Sequence, residues 1–288
     1  MVRSSKNKMM FVPLFERIVL VGVGGTGSVL AELLCRLIKG HRLRVGIVLI
    51  DGDSVEDANI WRQNFEPAEV GHNKAEAIAF RMCQRFGMEL ATVDCHIKKS
   101  EFDTYIDIGS RPTLVITATD NLLSRRAVAE SYNSYMDCHL WLDVGNELEH
   151  GQAILGSTHK ADLLRRGFWQ FNKEPFAQDL PDIAALNPAI LKARKQKRTT
   201  SCAEQPFAQQ GFGVNQQAAL AASMIVRQIL VNGEVRTPQI YFNVADGRMA
   251  ARAIDQDMFR PWKRKDKESA KKKQVDCACG CPQAAYGR

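Results

Sequence analysis

One turn constrains this chain more than any other feature. Arg17 to Gly22 (RIVLVG) is a short apolar, β-branched run that stops at glycine, and Ser28 to Lys39 (SVLAELLCRLIK) carries apolar residues at helical spacing up to Gly40. Between them stands Gly22-Val23-Gly24-Gly25-Thr26-Gly27-Ser28. A continuous apolar run of this length reads as a buried parallel strand, and Gly40 suits the carboxy-terminal cap of the helix. Val45 to Ile50 (VGIVLI) is a second run of the same kind, so the unit is βαβ. The expected fold class is α/β: a Rossmann-like, mostly parallel sheet with helices on both faces.

The same turn carries chemistry. Glycines at Gly22, Gly24, Gly25 and Gly27 permit positive φ and let backbone N–H groups and the helix amino terminus approach a phosphate. Asp51 ends the second strand, where a carboxylate can accept both hydroxyls of a ribose. These residues indicate a nucleotide. They are shared by dinucleotide-dependent dehydrogenases, and a tight turn anchoring a helix is the plain structural alternative.

Further along, Asn73 to Phe86 reads as a helix, Ala91 to Cys95 and Leu114 to Thr117 as strands, and about Leu122 to Tyr135 as another helix. Trp141 to Val144 and Gln152 to Leu155 suggest more strands. Asn, Gln, Pro and Lys then break every period, and a long mobile loop is expected at about 156–200. Order resumes with an amphipathic helix, Gln216 to Val231, and a short strand, Ile240 to Val244. The expected organisation is an amino-terminal extension over 1–16, one domain over 17–259, and a basic, cysteine-containing, disordered tail over 260–288.

The formal charge of +7 suggests nucleic acid until it is located. Lys192 to Arg198 and Arg260 to Asp276 hold the whole excess, and the remainder is slightly acidic. A basic loop and tail can steer an acidic protein partner as well as RNA, so nucleic acid is possible but not favoured. No apolar run approaches the roughly 18–20 residues of a membrane helix, and Pro13, Glu16 and Arg17 interrupt any signal-peptide core. Of the 8 cysteines, Cys35 and Cys83 fall in helix patterns and read as core, with Cys95 and Cys138 similar; the protein is expected to be cytoplasmic with reduced thiols.

The residues after Asp51 separate one nucleotide enzyme from another. Asp51-Gly52-Asp53-Ser54-Val55 leads to Asn59, Arg62 and Gln63, then to Gly71-His72-Asn73-Lys74, and finally to Thr119-Asp120-Asn121 with Arg125. A dry hydride pocket has no use for this array. Arg62 and Lys74 can spread positive charge over a triphosphate, Asn59 and Gln63 can hydrogen-bond phosphate or ribose oxygens, and Asp120 can hold Mg²⁺ with water. A solvated arginine or lysine and a helix-capping Asp120 are the bland readings of the same residues.

In their order and spacing these motifs (glycine loop, D-x-D-x-V, N-x-x-R-Q, G-x-x-K and T-D-N-x-x-x-R) resemble the ThiF and MoeB superfamily of ubiquitin-activating-type enzymes, over roughly Arg17 to Val244. The resemblance implies a ThiF-type ATP-binding fold that binds ATP and Mg²⁺ and adenylates the C-terminal carboxylate of a ubiquitin-like protein, releasing pyrophosphate. By motif position Gly22, Gly24, Gly25 and Gly27 would line the phosphates, Asp51 would take the ribose, and Asn59, Arg62, Gln63 and Lys74 would bind phosphate or ribose. Asp120 would ligate the metal. Arg62, Lys74 and Asp120 are the expected catalytic residues. Cys202, in Thr200-Ser201-Cys202-Ala203-Glu204, stands near where relatives keep a reactive cysteine, and would capture the adenylate as a thioester or persulfide; a buried or spare thiol is the alternative.

Two departures qualify the resemblance. Many relatives carry two C-x-x-C pairs, whereas this chain ends in Cys277-Ala278-Cys279-Gly280-Cys281, which speaks against a structural zinc. Relatives that share active sites across a dimer often present an amino-terminal arginine, and here only Arg3 and Arg17 are available; a homodimer remains the default expectation. The S-C-A-E and VNQQAA segments look most like the ThiF-related member of the PRTRC cassette, which implies as neighbours a ubiquitin-like protein, a conjugating-enzyme-like protein and a JAB peptidase. Competing readings are adenylation of a small-molecule or tRNA-bound carboxylate, and a non-catalytic nucleotide-binding scaffold that partners plasmid-partition proteins.

Overall fold

Strand β2 (Arg17–Val21) alternates its side chains between two cores, Ile18 and Leu20 on one face and Val19 and Val21 on the other. Both faces are covered, which is why the run is apolar throughout. The computed structural model describes residues 8–98, 102, 111–132, 139–171, 174–194 and 213–263. Beside β2 lie β3 (Gly46–Ile50) and β5 (Thr113–Thr117), both parallel to it, and β4 (Ala91–Val93) and β6 (His139–Asn146) extend the parallel set outward. Antiparallel strands β7 (His150–Gly156), β11 (Gln239–Asn243) and β12 (Arg248–Arg252) complete an 8-stranded sheet in the order β12-β11-β7-β6-β5-β2-β3-β4. The expected α/β class is met, with the sheet mostly parallel. β12 is an edge strand whose residues 248–251 are exposed, and no described strand pairs with its outer side.

Helix α1 (Gly25–Gly40) buries Leu30, Ala31, Leu34, Cys35 and Ile38, a stripe at helical spacing. It does not end on a glycine cap as the sequence suggests. The residue with positive φ is Arg42, at 54°, and Leu43 N–H returns to Ile38 O at 2.9 Å. Helix α2 (Lys74–Phe86) is capped at its start by Asn73 and at its end by Gly87, which is left-handed. These two helices share a face with the late helix α6 (Val214–Arg227). The opposite face is covered by α3 (Leu122–Tyr132) and by Ile183 and Ile190.

The stretch expected to be a long loop holds short elements in its described part, up to residue 194. They are α4 (Ala161–Arg166), a hairpin of β8 (Phe168–Phe171) and β9 (Glu174–Ala177), and α5 (Ile183–Leu186). Side-chain bonds hold this region where periodicity gives no sign of it. Buried Asp182 accepts the N–H of Ala185 at 2.8 Å and pairs with His159 Nδ1 at 2.9 Å, and Ser157 Oγ accepts the N–H of Leu180 at 2.9 Å. The described part of the amino-terminal extension contributes β1 (Met10–Phe11), which pairs with β10 (Glu234–Val235). Arg17 donates to Thr113 Oγ1 at 3.1 Å, while Arg3 lies outside the described residues. No described helix is long and apolar enough to cross a membrane.

Candidate functional site

The chain runs from β2 to β3 on one side and later returns to β5 on the other, so the sheet's topological switch falls at the carboxyl ends of β2 and β5. Open α/β sheets place ligands there. A cavity of about 850 Å³ opens at this point, lined by Gly22, Gly24, Gly25, Asp51, Arg62, Gln63 and Lys74 on one side and by Ala118, Thr119 and Asp120 on the other. It continues along Asn146, Glu147 and Gln152 of the β6–β7 hairpin to Tyr241 and Phe242 of β11, with Ile183, Asn187 and Ile190 on its wall.

Gly22 takes φ of +87°, and a Cβ there would lie 2.7 Å from the carbonyl oxygen of Ala118. Beyond it the first turn of α1 faces the cavity with no acidic residue, so its unpaired N–H groups present the positive end of the helix. Gly27 differs from its three companions. It is buried and does not line the cavity, and a Cβ there would run into the carbonyl of Gly22, so its lack of a side chain lets the helix seat against the turn.

Asp51 clamps this turn from the end of β3. Its Oδ2 accepts Val23 N–H at 2.6 Å and its Oδ1 accepts Asp53 N–H at 2.9 Å. Burial pushes its carboxyl above the usual range, opposed by those two backbone donors and by the charge of Lys74. Each oxygen keeps a second lone pair, so the clamp leaves capacity for a ligand hydroxyl.

Lys74 is buried, and its Nζ lies 3.5 Å from Asp53 Oδ2; His96 Nε2 stands 3.7 Å from the other oxygen of the same carboxylate. Asn73 fixes the lysine. Its carbonyl oxygen caps α2 through Ala75 N–H, and its amide donates to the Asp51 carbonyl and to Asp94 Oδ1, both at 2.9 Å. The sequence motifs give Asn73 and Asp53 no role of their own, although an asparagine directly ahead of a helical pattern, with Glu76 three residues on, marks Asn73 as a helix cap.

Arg62 and Gln63 stand on a 3₁₀ turn (Asp57–Asn59) and its continuation, where both backbone N–H groups return to Asn59 O, at 3.0 and 2.8 Å. Asn59 is itself buried, and its Oδ1 accepts Glu56 N–H at 2.9 Å in a capping box, so that oxygen holds the loop. Gln63 Oε1 is buried with no hydrogen-bond partner among the described residues, and its amide lies against Gly24. An acceptor in that position can take a donor from a ligand in the cavity.

Asp120 is exposed on the cavity wall, and the capping role belongs to its neighbour. Asn121 Oδ1 accepts Leu123 N–H at 2.9 Å at the start of α3. Arg125, the last residue of the T-D-N-x-x-x-R motif, is spent on structure: its Nε donates to buried Asp143 at 2.7 Å, and Thr117 Oγ1 donates to the same oxygen at 2.5 Å. Trp141 Nε1 donates to Thr117 at 2.9 Å, closing a polar chain beneath the cavity floor. Among the described residues no group of three or more His, Cys, Asp or Glu side chains forms a metal site.

Of the thiols expected in the core, Cys35 is there and Cys83 and Cys95 are not. Cys35 is buried, and burial, helped by Glu32, pushes it up to about 11. Cys83 is exposed because Met82 takes the core-facing position of α2, one helical step of about 100° away. Cys95 is half-buried on the cavity wall. Cys138, Cys202, Cys277, Cys279 and Cys281 lie outside the described residues.

Among proteins of known activity, the chain is similar to ubiquitin-like modifier-activating enzyme 5 of Arabidopsis thaliana, with 31% identity over 157 residues, 48% of this chain and 35% of that one. The same enzyme of Drosophila melanogaster is 33% identical over 129 residues, 41% and 31% of the two chains. The chain thus spans about a third of the length of the curated relatives it matches. Among solved structures, PaaA shares its fold at a TM-score of 0.55 and 16% identity, covering 83% of this chain and 73% of that one. Escherichia coli MccB, solved with ATP, gives 0.52 and 16%, covering 83% and 63%. The ThiF family model matches residues 14–162, over half of the sequence and every cavity motif from the glycine turn to the β6–β7 hairpin, and the chain belongs to the ThiF family.

Proposed function

We propose that this protein activates a carboxylate with ATP and Mg²⁺, its acceptor being the C-terminal carboxylate of a ubiquitin-like protein. One carboxylate oxygen bonds to the α-phosphorus, the bond from that phosphorus to the bridging oxygen breaks, and pyrophosphate leaves with the electron pair. No proton moves, because the carboxylate is ionised at neutral pH.

The observation that carries this reading is the shape of the cavity. The glycine turn, Asp51, Arg62, Gln63, Lys74 and Asp120 occupy one end, and the other end runs along an antiparallel hairpin where an extended peptide tail can lie. Two anions must meet at the first end, so catalysis rests on placement and fixed positive charge. Arg62 and Lys74 supply it, the lysine by exchanging Asp53 for a phosphate oxygen. Gln63 Oε1, unpaired among the described residues, suits a ribose hydroxyl, and the helix terminus suits a phosphate. Asp120 would hold Mg²⁺ together with the phosphates, since this ion is usually bound by one or two carboxylates plus substrate oxygens; there it would neutralise charge on the departing pyrophosphate. Solved structures of the fold relative MccB contain ATP, or AMPCPP with MccA, and the curated relatives are named for activating ubiquitin-like modifiers, which supports an acceptor of peptide or protein kind.

We assign to Cys202 the capture of the acyl group: its thiolate attacks the acyl carbon, a thioester forms and AMP leaves. A homodimer belongs to the same reading through the superfamily resemblance, and partnership with a conjugating-enzyme-like protein and a JAB peptidase through the PRTRC resemblance.

Acceptor-dependent ATP–pyrophosphate exchange tests the first step. Exchange should appear only with a free acceptor carboxyl terminus and fall about 100-fold or more in Asp120→Ala or Arg62→Ala. Tight ATP binding with no exchange for any carboxylate would instead favour the scaffold. Intact mass after incubation with ATP and acceptor tests the second step, through an adduct absent in Cys202→Ala.

A further inference from the structure

We infer that Asn215, far from the adenylation motifs in sequence, is the positioning residue that sets Arg62 and the glycine turn in register with each other. The inference rests on the reaction proposed above for its kinetic consequence, but its structural content stands apart from it.

Asn215 is buried at the start of α6 and reaches three other segments with one amide group. Its Nδ2 donates to the backbone carbonyl of Arg62 at 3.2 Å. Its Oδ1 accepts from Asn146 Nδ2 at 3.3 Å and lies 3.1 Å from Thr26 Oγ1, which also reaches Asn146 Oδ1 at 3.0 Å. Gly25 completes the contact, because a Cβ at that position would run into the Asn215 amide. The helix start, the Arg62 loop and the end of β6 therefore meet on one side chain.

This geometry matters because of how Arg62 is otherwise held. Its N–H bonds to Asn59, three residues away within the same turn, a contact that shapes the turn locally. Its carbonyl is held across the cavity wall from α6, a helix buried against the sheet core through Val214, Ala218 and Ala222. A rigid helix is a better reference point than a surface loop, and misplacing a charged group by about 1 Å can cost about 100-fold in rate. Asparagine suits the position because it offers donor and acceptor at once. Aspartate keeps the acceptor toward Asn146 and Thr26 but loses the donor to Arg62.

Amide hydrogen exchange on the full chain without nucleotide or acceptor, comparing wild type with Asn215→Asp and Asn215→Ala, reads the tether directly. Both variants should exchange faster across residues 57–65 by about tenfold or more, while the interior of α6 stays protected. Unchanged protection over 57–65 in the alanine variant would overturn the inference whatever the protein's reaction. Kinetically, Asn215→Ala should lower pyrophosphate exchange at saturating ATP by about 10- to 100-fold in the Arg62-containing enzyme and add little in an Arg62→Ala background. Multiplicative losses in the double variant would show that Asn215 does not act through Arg62. Absence of pyrophosphate exchange in the wild type would count against the proposed reaction and leave the hydrogen-exchange outcome to decide the tether.

Discussion

Asp51 Oδ2 accepts the backbone N–H of Val23 at 2.6 Å, so the carboxylate that faces the cavity also holds the glycine turn in place. Burial raises its pKa above the ordinary 3.8. A carboxyl whose folded pKa is raised binds its proton more tightly in the folded state. Its contribution to stability is therefore fully present below 3.8 and is lost as pH rises through the folded value. Asp51→Asn removes this dependence. In urea titrations at several pH values, the stability of wild type relative to the variant should fall as pH rises from 3.8, then level off.

The chain Trp141–Thr117–Asp143–Arg125 predicts a larger effect. Asp143→Ala leaves the guanidinium of Arg125, a largely buried side chain, without its carboxylate. Such a loss typically costs about 3–5 kcal/mol. Asp143→Asn keeps an oxygen for Thr117 and Arg125 and should cost less. Equilibrium denaturation of the two variants checks the order.

Gly22→Ala forces a side chain into φ of +87° and against the Ala118 carbonyl. Strain of this kind costs about 1–3 kcal/mol. Because Gly22 and Ala118 stand at the mouths of adjacent strands, nucleotide affinity should weaken together with the denaturation midpoint, and isothermal titration calorimetry with ATP reads the first.

Removing the Asn73 side chain takes away a helix cap and two anchors of the Lys74 segment. Asn73→Ala should lose about 1–3 kcal/mol, more than a surface cap alone, since the half-buried Asp51 carbonyl and the Asp94 carboxylate lose a donor as well. Asn73→Asp, which can cap α2 but cannot donate to those acceptors, should recover only part of it.

Thiol labelling separates the cysteines that the sequence grouped together. With iodoacetamide at neutral pH, Cys83 and Cys95 should alkylate while Cys35, fully buried and held near 11, should not. Mass mapping with and without ATP adds a second reading: Cys95 on the cavity wall should be protected by the nucleotide, and Cys83 should not.

The parallel half of the sheet was legible because its signals are local. The β2 run, the glycine turn and the α1 stripe lie within two dozen residues of one another, and every described candidate site residue read from the sequence except Gly27 lines the cavity, Cys202 lying outside the described residues. Gly27 looks like a phosphate-loop glycine in sequence; only the fold shows that it relieves a backbone contact. The antiparallel half was harder to see. β12 has no alternation to betray it, since its residues are exposed on both faces, and β7 pairs with β11 across a long sequence separation. Asn215 stands just ahead of the Gln216–Val231 helix pattern as one polar residue among several, and nothing in its neighbourhood tells that its amide reaches Arg62.

The edge at β12, unpaired among the described residues, sets charge against charge. Two copies of this strand, laid antiparallel and centred on Ala250, would bring Arg248 of each opposite Arg252 of the other. Like charges facing each other in a ladder oppose pairing, and charged edge strands resist sheet-to-sheet growth. In this register the arginines oppose extension of the ladder by a copy of the same strand.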